Sequence, residues 1–126
     1  MFDIDPKTFD ITLRQGDTGK FPVETPSTEG MIDPELYFSF YNNKRVIISE
    51  VSAYPEGDIT TFYLPADVTD KLKVSSGVAT GTYYYGIKLC YRDEDDRTYE
   101  DTLLVGDKDI GTLNKVTVYP KIVEGY

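Results

Sequence analysis

Apolar and polar residues alternate with a period of two along most of this chain. Successive side chains of an extended strand point to opposite faces, so this period is the pattern of half-buried β-strands and not of helices. Residues 9–14, FDITLR, place Phe9, Ile11 and Leu13 on one face and Asp10, Thr12 and Arg14 on the other. A turn, QGDTG at 15–19, follows, and Phe21 and Val23 resume the alternation in KFPVET. Pro22 has no N–H to donate, which predicts an edge strand or a bulge. The two segments read as a hairpin, or as one strand bent at a bulge. LYFSFYN at 36–42 turns Leu36, Phe38 and Phe40 inward, and RVIISEVSA at 45–53 and ITTFYL at 59–64 are further strands. Others follow at about 81–92, at 98–105 and at 112–122, separated by DEDD at 93–96 and by the turn GDKDIG at 106–111. PADVTDKLKV at 65–74 is the one helical candidate, a turn or two at a corner, with Asp67 placed to cap it and Val68 and Leu72 four apart. About seven to nine short strands, with turn signals every ~8–12 residues, predict an all-β sandwich or barrel. There is no linker, repeat or low-complexity tract, so residues 1–126 read as a single domain.

What the chain lacks narrows its chemistry. It has no histidine and one cysteine, Cys90. That removes the commonest general base, the Ser-His and Cys-His pairs, most zinc sites and any internal disulfide. No enzyme activity and no cofactor are expected. Glu100 and Asp101 are adjacent on a strand and face opposite sides, so they do not flank one glycosidic bond. QGDTG lacks the Lys-Ser/Thr of a phosphate loop. Asp93, Glu94, Asp95, Asp96, Glu100 and Asp101, with Asp107 and Asp109 near in sequence, offer oxygen ligands for calcium. Their spacing is not that of an EF-hand, and Arg92 and Arg97 bracket them. A solvated hairpin tip is the reading that fits. Lys88 and Arg92 do little to activate Cys90, which reads as structural.

The net charge is −9, from 22 acidic and 13 basic residues. No basic stripe is present, so neither direct nucleic-acid binding nor attachment to an anionic membrane is expected. The start of the chain is acidic, without the features of a signal peptide, and no apolar run approaches the ~20 residues of a membrane-spanning helix. Synthesis in a cytoplasm is expected.

GTYYYGIKLC at 81–90 carries three consecutive tyrosines. On one strand they cannot form a continuous platform. Tyr83, Tyr85, Ile87, Leu89 and Tyr91 point one way, as a core stripe, and Tyr84, Gly86, Lys88 and Cys90 the other. A helical corner followed by GTY is similar to the start of strand F in immunoglobulin-like domains, where a tyrosine hydroxyl bonds back to the corner. Tyr83 is the candidate for this tyrosine corner.

ITLRQGDTGKFPV, LYFSF, FYLPADVTDKL, GTYYYGIKLCY and the terminal KVTVYP together resemble the immunoglobulin-like domain at the N-terminus of phage baseplate upper proteins, and related small phage and prophage virion proteins. The resemblance rests above all on Leu13 to Thr18, the Asp67 to Leu72 corner, and the alternation of Gly81, Tyr83, Tyr85 and Ile87. It spans most of the chain and contains no catalytic signature. The chain departs from it in a longer, more acidic final hairpin, and it ends near the sandwich. The resemblance implies an immunoglobulin-like antiparallel sandwich serving as a non-catalytic virion component of a baseplate, tail or head-fibre assembly, made in the cytoplasm of a bacterial host. It would contact other virion proteins, or its own copies in a dimer, trimer or ring. Outward aromatics would anchor such an interface, with Tyr37, Tyr41 and Tyr84 as candidates. Two other classes fit the residues. One is a carbohydrate- or cell-surface-binding module, which needs aromatics in one plane; the other is a small acidic inhibitor that mimics nucleic acid, which needs its carboxylates on one face.

Overall fold

The computed structural model of the chain describes residues 1–106 and 113–122. Nine strands and one short helix follow in order: β1 (Phe2–Ile4), β2 (Ile11–Arg14), β3 (Gly19–Glu24), β4 (Ile32–Tyr41), β5 (Ile47–Ala53), β6 (Ile59–Leu64), α1 (Ala66–Thr69), β7 (Gly81–Arg92), β8 (Thr98–Leu103) and β9 (Asn114–Tyr119). The larger sheet runs β1-β2-β9-β7-β4-β5, with β8 also on β7, and the smaller one is β3 with β6. The protein is an all-β sandwich with immunoglobulin-like connectivity. β3 and β6 take the places of strands B and E, β4, β5 and β7 those of C, C′ and F, and β9 that of G. All pairs are antiparallel except β2 with β9, which run parallel.

The core lies where the alternating faces meet. Phe38 and Phe40 from β4 and Tyr85, Ile87 and Leu89 from β7 face Phe21 and Val23 from β3 and Phe62 and Leu64 from β6. Phe38 is central: its ring stacks on Tyr85 at 4.8 Å and 10° and meets Phe21 and Phe62 at 5.2 and 5.5 Å.

The chain departs from the expected outline at the start. Segments 9–14 and 20–24 form neither a hairpin nor one bent strand. β2 joins β9 in the large sheet and β3 joins β6 in the small one, so QGDTG carries the chain from one sheet to the other. The crossing is fixed by distant partners. Gln15 Nε2 donates to the Asp70 carbonyl at 2.8 Å, and Thr69 Oγ1 to the Asp17 carbonyl at 2.8 Å. Phe9 stands in the left-handed region (φ 61°), which takes it out of β2, though its ring still reaches Phe21 at 6.4 Å. Asp67 does not cap the helix. Pro65 occupies the N-cap position with no side-chain cap bond, and Asp67 lies within the first turn. Arg45 also has a positive φ of 61°, so β5 begins two residues later than the β-branched run predicts. From 107 onward the expected turn, with Asp107 and Asp109, lies outside the described residues, as does Thr112 at the start of the last predicted strand.

β7 organises the large sheet. One of its edges pairs with β4 from Tyr84 to Arg92, with one irregularity between Ile32 and Glu35. The other is shared: β9 takes Gly81 to Tyr85 and β8 takes Ile87 to Arg92. The sandwich therefore has a corner end, near α1, and a hairpin end, near the loop at 93–97.

Candidate functional site

β4 and β7 are neighbours in the large sheet, and the side chains that do not enter the core form its outer face. Register places Tyr41 beside Tyr84, Ser39 beside Gly86, Tyr37 beside Lys88 and Glu35 beside Cys90. β5 adds Ser52 beside Tyr37 and Glu50 beside Ser39, and β8 adds Glu100 beside Cys90. The three tyrosines picked from the sequence therefore share one face, each half-buried.

Polar bonds hold this face. Tyr37 donates its hydroxyl to Glu35 Oε1 at 2.6 Å, and Ser39 Oγ to Glu50 Oε2 at 2.5 Å. Lys88 Nζ stands 3.8 Å from Glu100 Oε2. The bond to Glu35, then burial, then nearby negative charge push the Tyr37 phenol up to about 12. Burial first, then the charge of Glu100, raise the Cys90 thiol, whose sulfur lies 3.9 Å from Glu100 Oε1. The thiol is held protonated, the opposite of what an activated nucleophile needs. Two adjoining hollows of about 600 and 330 Å³ share Tyr37, Cys90 and Glu100 along their walls. A third, of about 250 Å³, lies beside Tyr84, Asn43, Arg45 and Leu113.

Tyr83 is at the corner. Its hydroxyl donates to the Lys73 carbonyl at 2.6 Å, ten residues upstream in the segment after α1. Burial raises its pKa, and the bond to Lys73 opposes that rise. Gln15, Thr69 and Tyr83 thus all bond backbone carbonyls in and around the corner.

The acidic hairpin is a self-contained turn. Asp93 Oδ1 accepts the N–H groups of Asp95 and Arg97 at 2.9 and 3.0 Å, and Oδ2 accepts Arg97 Nε and the Tyr99 hydroxyl at 3.0 and 2.7 Å. These bonds, that of Tyr99 foremost, hold the Asp93 carboxyl below its ordinary value. Arg97 also bonds Asp95, and Arg92 pairs with both Asp96 and Asp33. Among the described residues, no group of three or more Cys, Asp or Glu side chains is arranged to hold a metal ion.

Sequence reasoning did not foresee that Glu35, Glu50 and Glu100 border the tyrosine face. Glu35 shares the parity of Tyr37 and Tyr41, which was visible. The other two needed the register of β5 and β8. Comparison with protein-family models, with curated proteins and with solved structures finds no match to this chain.

Proposed function

We propose that this protein is a non-catalytic assembly component of a phage or prophage virion, working through protein–protein contact on the outer face of its large sheet. The observation that carries this reading is the gathering of Tyr37, Tyr41 and Tyr84 on one face of the two central strands. Tyrosine anchors interfaces well because it offers a large ring with little conformational freedom to lose and a polar tip that tolerates water. A sheet face also gives a rigid platform, since both strands beneath it are tied into the aromatic core. The resemblance of the LRQGDT, corner and GTYYYGI segments to baseplate upper proteins supplies the virion setting.

Light scattering at micromolar concentration tests the contact. The expected mass is above the 14.3 kDa of one chain, either alone or with a virion protein encoded nearby. Replacing Tyr37 and Tyr41 together by serine should abolish the larger species while the chain stays folded, as circular dichroism would show. The virion setting is tested by the genes that flank this one, which should encode tail or baseplate proteins. A metabolic operon would overturn that part.

A further inference from the structure

We propose that the hairpin end of the sandwich, between the edges of β3 and β8, accepts an added β-strand from another protein: an extended segment with apolar residues toward the core and lysine or arginine at its ends. The two ends of the molecule close differently on this side. At the corner end β9 lies on the edge of β7, β2 pairs beyond it, and β1 beyond that. There the Phe2 ring seals the start of β3, packed so tightly that a Cβ on Gly19 would lie 2.3 Å from it. At the hairpin end β8 occupies the same edge of β7, but no strand among the described residues pairs beyond it, and β3 pairs with β6 alone. Among the described residues, a line of strand that is filled at one end of the sandwich has no counterpart at the other.

The hairpin end has an apolar lining. An opening of about 730 Å³ there is walled by Phe9, Val23, Ile59, Leu103, Leu104 and Val105, among others. Ile59 and Leu104 stand at its rim with 53% and 51% of their surface exposed. Gly106 closes one side, against the Thr8 carbonyl. An open strand edge beside an apolar groove is what strand addition uses: main-chain bonds give affinity and alternate side chains fill the groove. β8 is the edge that receives the new strand, because Pro22 removes a donor from the middle of β3. Charge selects the ends of the incoming segment. Glu24 on β3 lines the groove, in a chain whose net charge is −9, so cationic ends are favoured.

This surface is separate from the tyrosine face, and the test keeps the two apart. The probe is a blocked synthetic peptide of alternating valine and threonine with lysine at both ends, titrated into the whole chain and followed by amide NMR. Shifts are expected along Thr98–Leu103 and at Val23 and Glu24, with binding about tenfold weaker in Leu104→Glu and in Ile59→Glu. Both sites are exposed, and an unchanged melting temperature confirms that these variants fold. A peptide with glutamate ends should bind more weakly at low salt, and Tyr37→Ser should bind the lysine peptide as the parent does. Absence of shifts at millimolar peptide, shifts confined to other strands, or binding undiminished by both glutamate variants would overturn the proposal. Shifts of the same residues on concentrating the protein alone would identify a second copy as the occupant and overturn the hetero-partner.

Discussion

Tyr83, Tyr84 and Tyr85 are the same side chain in three different environments. Tyr84 points outward and lines a shallow hollow with Arg45 and Leu113. Tyr85 is wholly buried, stacked on Phe38, and its hydroxyl donates to the Phe9 carbonyl at 2.5 Å. Tyr83 shares the inward face but lies at the corner end, so its ring is half-buried and its hydroxyl reaches Lys73. Strand parity decides the side, and position along the strand decides the depth. The three hydroxyls therefore differ in worth. Tyr83→Phe should destabilise the fold by about 1 kcal/mol, the net value of one intramolecular hydrogen bond. Tyr85→Phe should cost more, about 1–3 kcal/mol, because it leaves the part-buried Phe9 carbonyl without the hydroxyl that bonds it. Tyr84→Phe should leave the urea midpoint where it is. Equal midpoints for the Tyr83 and Tyr84 variants would mean that the corner bond contributes nothing.

At the scale of elements, the sequence revealed strands better than their partners. β4 to β7 were legible because each is long enough to show its period, and the aromatic residues at alternate positions are those that fill the core. β1 is three residues long, too short to display a period at all. The crossing at QGDTG was misread because two alternating runs around a glycine turn look the same whether they pair with each other or not. What separates them is the bonding of Gln15 and Thr69 across more than fifty residues of sequence. The outer face was half legible for the same reason: parity put Tyr37 with Tyr41, whereas Glu50 and Glu100 arrive only through register. Another element is held by a close backbone approach that no local pattern announces. Gly106, just after β8, has φ 69°, and a Cβ there would lie 2.3 Å from the Thr8 carbonyl oxygen. Asn114 Nδ2 bonds that same carbonyl at 3.0 Å and the Val105 carbonyl at 3.3 Å, tying the loop before β2 to the ends of β8 and β9. Gly106→Ala should therefore destabilise by roughly 1–3 kcal/mol, combining left-handed strain with displacement of the loop. Hydrogen exchange should rise first at Asn114 and Lys115. Unchanged exchange there would show that the loop yields without disturbing the sheet.

For the molecule as a whole, the distribution of titrating groups sets how stability varies with pH. There is no histidine, so no side chain with an ordinary pKa near neutrality responds between about pH 5 and 8. On the alkaline side, several tyrosines are raised above their ordinary value of 10.0: Tyr37 by its bond to Glu35, Tyr85 and Tyr83 by burial foremost, and Tyr99 by its bond to Asp93. A raised phenol favours the folded state while it is neutral. Its contribution is complete below the unfolded value of 10.0 and is lost as pH climbs through the folded one, which for Tyr37 is about 12. These residues sit in the core, at the corner, on the outer face and beside the acidic hairpin, so no part of the sandwich escapes the loss. On the acid side Asp70, held down chiefly by Lys121, and Asp93 lie below the ordinary 3.8. Their contribution is present above that value and fades as pH falls beneath it. The melting temperature should therefore be nearly flat through neutrality, fall below about pH 4, and fall steeply above about pH 10. Tyrosinate absorbance followed through the same alkaline titration should show exposed phenols ionising first. The buried phenols should ionise only together with the loss of circular dichroism. Ionisation of all the tyrosines near pH 10.0 with the fold intact would contradict the raised values and the burial of the Tyr83 and Tyr85 rings from which they chiefly arise.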